Sequence, residues 1–444
     1  MILKRCASGR RAATILTPFL RTWQKLMPPL AERSAAPIQR RIVRRLAAVQ
    51  LISGVGTSIG VASAGLAVVA VASEKLGGLG QTLLLVGTTV GALLVARVSH
   101  TSGRRPALTT AFALAALGAA VVCLALWADL LLLLILGLLI FGFGSSASYS
   151  ARYAAMDLAI PERRARDASL VMFFTAVGSF IGPQIGTFIS GGTEDLRTSL
   201  IWSFGTAAIA FTSVAVAMFF ALQPDPLILA RTLQKQEEPA DSGTKSSQTK
   251  GSSLNSIFKR SDAIYACFSV VIAHGAMVTI MAASPLAIME HGGSYSESNL
   301  VISVHLAGMY LFSPAVGSVV SRVGSKKALM ASTLLMAAAT MILLPFSHSL
   351  PVMVLSLFLI GLAWSGGILA GAALLVDSVL VDERATAQGT VDVLMDIAAV
   401  VGSLGSGLAV ALGGIEAIAI PTTLALLFFP VVRALRRSRW RLSR

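Results

Sequence analysis

The chain has 444 residues, a mean hydropathy of +0.77 and only 13% charged residues, against about 25% in soluble domains. That composition excludes a water-soluble globular protein of this length. The net charge of +15 would suggest nucleic acid in a soluble chain, but here the basic residues follow the apolar stretches, so no nucleic-acid partner is expected.

The first 46 residues form a basic tail in which Glu32 is the single acid. The composition is that of a transit peptide. The plainer reading is a cytoplasmic tail on anionic lipid headgroups, each basic residue contributing about 1 kcal/mol near the surface. Met27 is an alternative start that would remove much of it. Six apolar stretches follow at about 47–72, 80–99, 107–128, 130–155, 167–190 and 199–222, each long enough to cross a bilayer. Residues 223–262 interrupt the pattern, and 240–253 are Ser, Gly, Thr and Lys-rich, the composition of a flexible linker. Six more stretches follow at about 263–289, 299–320, 328–346, 351–379, 388–413 and 415–433, then a basic tail, 434–444. The expected fold is an all-α membrane protein with 12 transmembrane helices in two pseudo-symmetric six-helix bundles, 47–222 and 263–433.

With those spans, 34 of the 36 basic residues fall on one face, leaving Lys75 and Arg197 on the other. The positive-inside rule makes the basic face cytoplasmic. An even span count puts both termini there, in a multi-pass protein of the plasma (inner) membrane. One misplaced span would scramble this asymmetry, so it tests the count itself. Cys6, Cys123 and Cys267 make neither a disulfide framework nor a metal spacing, and no metal or cofactor is expected. No Gly-x-x-x-x-Gly-Lys-Ser/Thr loop is present to bind ATP, and no His-Glu-x-x-His. The chain is not expected to be an enzyme.

The halves repeat one another. Glu162-Arg163 and Glu383-Arg384 stand 221 positions apart, and so do Gly103 and Gly324 in the loops after spans 2 and 8. Two loops sharing one offset point to duplication, a known transporter plan with the site between the repeats.

These residues resemble the major facilitator superfamily over about 47–433. The family's loop signature is Gly-x-x-x-Asp-Arg-x-Gly-Arg-Arg. The second copy keeps Gly317, Arg322, Gly324 and Lys326, with Ser321 in place of Asp. The first keeps Gly103, Arg104 and Arg105, with Ala96, His100 and Thr101 at the other three places. His100 is either a pH-dependent substitute for the missing acid or an exposed spectator. In span 5, Gly178-x-x-x-Gly182-Pro183-x-x-Gly186 is similar to a motif of drug:proton antiporters. Small residues four apart also let helices pack closely in any bundle, and Pro183 is expected to free a backbone carbonyl and kink the helix. Span 11 carries an echo in Gly402, Gly405 and Gly407, whereas Leu138 stands where many antiporters carry a basic residue. The resemblance implies a secondary transporter, a monomer working by alternating access with a small-molecule substrate, protons and the lipid bilayer as its partners. Proton-coupled export is the first reading, import of a metabolite the alternative, and a membrane-embedded sensor or enzyme a third.

Ionisable groups within spans cost at least a few kcal/mol, which marks them as candidates. Asp392 and Asp396 lie four apart on one face of span 11, the second about 12 Å deep at 1.5 Å per residue. Two carboxylates that close repel when both are ionised, the situation a proton-coupling site uses; a solvated gate at the helix start is the alternative. His274 in span 7 and His305 in span 8 can carry a proton or bond a polar substrate, or merely bond a neighbouring helix. Arg152, Asp157 and Asp377 fall near the basic rim as gate ion pairs, with Arg163, Arg164 and Arg384 as partners, or as interfacial anchors. Tyr149, Tyr153 and Trp364 are candidates to stack on a substrate, or core aromatics.

Overall fold

The computed structural model describes residues 30–72, 76–189, 195–237, 260–292, 295–346, 348–413 and 415–428. The N-terminal residues 1–29, most of the linker and the C-terminal tail lie outside the described residues, and with them the readings made of those segments. The described residues are almost wholly helical. In chain order they form α1 (Leu30–Val71), α2 (Gly77–Ser102), α3 (Arg104–Ala128), α4 (Leu131–Ala154), α5 (Pro161–Ile189) and α6 (Leu196–Ala221). A short helix, Pro226–Glu237, leads out of α6. The second half holds α7 (Ser261–Glu290), α8 (Tyr295–Leu306, continued to Val323), α9 (Ser325–Phe346), α10 (Leu350–Ser378), α11 (Arg384–Gly413) and α12 (Glu416–Phe428).

Among the described residues, nine helices are long and apolar enough to cross a membrane, or ten if α8 counts as one bent span. The remaining expected stretches hold α5 and the shorter apolar α12. Helix α1 begins at Leu30, inside the segment that composition alone assigns to a tail, and Ile42 and Leu46 are buried there. Basic residues interrupt that stretch, so hydropathy hides the buried stripe.

Small residues set the packing. An added Cβ at Gly178 would strike the Leu51 carbonyl, and one at Gly54 the Thr175 carbonyl, so α1 and α5 meet backbone to backbone. Without a hydrophobic drive between helices in lipid, such close approach is what holds them together. Gly182 serves the same contact, against Ser58 and Val55. Pro183 and Gly186 continue α5, which runs unbroken to Ile189. Gly56-Thr57-Ser58-Ile59-Gly60 has the Gly-x-Ser-x-Gly spelling of a hydrolase elbow, but it lies within α1, with Gly56 facing the Phe211 ring and Gly60 the Phe141 ring.

Buried residues gather in two apolar clusters, one running from Ile42 to Leu222 and one through α7–α12. The second also takes in Tyr153, Met156, Ala165, Ala168 and Met172 from α4 and α5 and the connection between them; this is where the halves meet. Gly317 of α8 packs on Ser169 of α5, and Gly389 of α11 on Ala96 of α2. These contacts lie at the end of the molecule that carries the loops after α2, α4, α8 and α10, here called the basic end. Helix α8 bends by 46° around a single π turn, Ala307–Leu311, ahead of Pro314. A π turn and a proline are both known causes of such a bend.

Candidate functional site

Two neighbouring cavities lie between the halves. One is lined by Thr88, Ser146, Tyr149, Arg152, Asp392 and Asp396 among others. The other, about 90 Å³, is lined by Thr57, Ser148, Thr175, Tyr310 and more. Tyr149, Arg152 and Trp364 line both.

Arg152 and Asp392 face each other across the seam. The Arg152 Nη2 donates to Asp392 Oδ1 at 2.6 Å and to the Tyr153 hydroxyl at 3.1 Å, and that hydroxyl donates to the same Oδ1 at 3.2 Å. Both charged side chains are at least nine-tenths buried. The Arg152 guanidinium lies 4.6 Å from the Tyr153 ring centroid and 5.9 Å from that of Tyr149, a favourable cation–π arrangement. Asp396 sits one turn beyond on α11 and lines the first cavity. Removing either partner of such a pair leaves a buried charge uncompensated.

His274 of α7 lines the first cavity and accepts a 2.9 Å hydrogen bond from the Trp364 Nε1. The Trp364 ring also meets Tyr310 edge-on at 5.6 Å; Tyr310 stands on the π turn. Trp364 is thus held from two sides, while Tyr149 is 42% exposed and offers its ring to the cavities. His305 lies apart from both. It is fully buried between α8 and α10, its Nδ1 2.7 Å from the Leu357 carbonyl.

Two of the expected gate partners, Arg164 and Arg384, meet Asp377 and Asp157, while the other contacts differ from those the spacing suggests. Asp157 accepts from Arg104 Nε at 2.8 Å, and its backbone carbonyl accepts from Arg384 at 3.1 Å. Arg104 also reaches Gln388 across the seam. Asp377 pairs with Arg164, and Arg260 with Glu383 at 2.7 Å. Arg152 leaves the rim and joins Asp392 instead. Three of these pairs, with Arg231–Asp382 at 2.8 Å, tie one half or its exit helix to the other at or toward the basic end.

The first-copy loop holds a residue that sequence reading passed over. Asp225 accepts from the Arg105 backbone N–H at 2.7 Å and caps Leu227 and Ile228 at 3.0 and 3.2 Å. His100 contributes its carbonyl, which accepts from Arg231 at 3.0 Å. Arg105 lies over the Phe219 ring at 3.9 Å. In the second copy Lys326 pairs with Asp262 at 2.6 Å near the surface, and Arg322 is exposed. Asp225 precedes a proline at a helix start, a legible N-cap signal; Gln388 and Tyr310 carry no comparable mark. Among the described residues no group of His, Cys, Asp and Glu could hold a metal.

A family model described as Major Facilitator Superfamily matches residues 46–281 and 266–441. YdeG, an MFS-type transporter of Bacillus subtilis (strain 168), is 34% identical over 392 residues, 86% of this chain and 89% of that protein. The riboflavin transporter RfnT of Brucella anthropi is 27% identical over 322 residues, 71% of this chain and 75% of that one. The fucose:proton symporter FucP of E. coli shares the fold, with a TM-score of 0.66 over 88% of this chain and 98% of that chain at 16% identity. The helices, the cavities between the halves and these matches together place the chain in the Major Facilitator Superfamily, as a multi-pass membrane transporter of a small molecule.

Proposed function

We propose that this transporter is a proton-coupled exporter of the drug:proton antiporter type, working by alternating access between two six-helix bundles, 47–222 and 263–433. The reading puts twelve spans in the plasma membrane, both termini in the cytoplasm, and basic loops and tails against anionic headgroups, with a monomer as the working unit. The observation that carries it is the Arg152–Asp392 pair. It joins the halves in the wall of the central cavity, beside a second carboxylate, Asp396. Protonating Asp392 removes its charge and frees Arg152, and the halves lose one of their ties. A proton taken up there is thereby linked to opening of the basic end, where the Arg104–Gln388 and Arg164–Asp377 contacts must also part. The antiporter branch rests on the likeness of the Gly178-x-x-x-Gly182-Pro183 run, and in the fold Gly178 and Gly182 are where α1 and α5 approach closely.

The test is compound accumulation and growth inhibition in an efflux-deficient bacterium over a broad panel, comparing wild type, Asp392→Asn and Asp396→Asn. Lowered accumulation with wild type, abolished by either substitution or by collapsing the proton gradient, is the expected result. Unchanged accumulation of every compound, with the protein shown to be in the membrane, would overturn export. The name of the relative RfnT supports a second reading, in which the cargo is a metabolite moved by the same proton-linked cycle.

A further inference from the structure

The walls of the two cavities carry unused hydrogen-bonding groups of a particular kind. Arg152 spends Nη2 on Asp392 and Tyr153, yet its Nε is buried with no partner among the described residues. The hydroxyls of Thr57 and Ser146 are likewise buried and unpartnered, one facing each cavity. A buried polar group left unmade costs about 1–3 kcal/mol, so these atoms are sites a ligand can satisfy. Asp396 supplies an accepting carboxylate to the cavity that Arg152 lines from the other half. The exposed ring of Tyr149 lines both cavities, as does Trp364, held rigid by His274 and Tyr310.

We infer that the cargo is a neutral, flat ring system bearing a carbonyl acceptor and an N–H or O–H donor on one edge, as in a cyclic amide. It lies against Tyr149, with its carbonyl on Arg152 and its donor toward Asp396. The inference rests on reading this cavity as the transport pathway. Multiply charged cargo does not match a wall whose fixed charges are one guanidinium and two carboxylates, already partly paired. The geometry also couples cargo to protons. An ionised Asp396 accepts strongly from the cargo, whereas a protonated one turns one oxygen into a donor and keeps only a weaker acceptor, so the proton and the cargo donor compete for the carboxylate. Competition of that kind is what exchange of cargo for protons requires.

The test is calorimetric binding to the purified full-length protein in detergent, with four probes. 2-Quinolone carries ring, carbonyl and N–H; N-methyl-2-quinolone lacks the donor; quinoline lacks the carbonyl; xylose lacks the ring. Expected is binding of 2-quinolone at least about tenfold tighter than the other three. Tyr149→Leu should lose about tenfold and Tyr149→Phe should keep affinity, the side chain being exposed enough that neither disturbs the fold. Asp396→Asn should erase the preference for 2-quinolone over its N-methyl form. Equal binding of all ring probes, preference for xylose, or no binding of any ring probe at millimolar concentration would overturn the inference. Proteoliposomes separate the two readings. A proton gradient that moves xylose but no ring probe ends the cargo assignment and leaves transport standing. Tight, Asp396-dependent binding of 2-quinolone without gradient-driven movement does the reverse.

Discussion

The loops after α2 and α8 stand 221 positions apart in the chain, yet they do different work. Both turn on a glycine with positive φ, +95° at Gly103 and +90° at Gly324. Beyond that they diverge. Arg104 in the first copy corresponds to Ser325 in the second, and Asp157 to Ser378, each 221 positions on. The first copy therefore has a buried ion pair, 2.8 Å long with side chains 2% and 0% exposed, where the second has two serines. Asp225 fills the space beside Gly103. Beside Gly324 nothing would meet an added Cβ, and an open cavity there is lined by Arg260, Ser325, Lys326 and Asp377. The two loops share a turn geometry, and one of them carries a clamp.

That asymmetry can be broken in graded steps. The largest effect should come from Asp157→Ala, which strands Arg104 in the interior and should cost about 3–5 kcal/mol; Ser378→Ala should stay within about 0.5 kcal/mol. Thermal unfolding of the two variants in detergent makes the comparison, and equal shifts would refute it. Gly103→Ala and Gly324→Ala come next. Each places a Cβ in a left-handed conformation at about 1–2 kcal/mol, but only Gly103→Ala also drives it into the Asp225 carboxylate, so its melting temperature should fall further. Asp225→Ala should cost about 1 kcal/mol through the lost cap and speed proteolysis around Pro226–Glu237, whereas truncating the second-copy loop should not. The smallest effect is Lys326→Ala. Its pair with Asp262 is roughly half exposed on the lysine side, and such pairs contribute about 0–1 kcal/mol and fade with salt. A melting shift that survived high salt would show the second copy to be more firmly latched than its geometry indicates.

Much of the helical plan could be read from hydropathy, because in lipid every backbone group must be satisfied within its own segment. What hydropathy could not show is where a helix leaves the apolar stretch, as α1 does between Leu30 and Leu46. The charged candidates were legible as types. Asp392 and Arg152 both stand out against their apolar surroundings, but their pairing joins residues 240 apart in the chain, and no local pattern encodes it. The spacing of Arg152 and Asp157 suggested a shared rim; α4 instead turns Arg152 to the cavity, and Asp157, past the end of that helix, meets Arg104. His305 stood beside His274 as a candidate because both are ionisable groups within spans, whereas the face of α8 decides that it points at Leu357. Tyr310 was missed because a single π turn shifts its direction relative to the α-helical register.

Trp364 has a consequence for watching the protein at work. Of the described tryptophans, Trp127 and Trp202 are 77% and 54% exposed, while Trp364 is 2% exposed and donates its indole N–H to a titratable ring. Its partners stand on α7 and α8, and it stands on α10. Any sliding among those helices alters the polarity around one indole while the other two stay at the periphery. The molecule thus carries an optical reporter at its waist, whose emission colour should follow the cycle without any attached label.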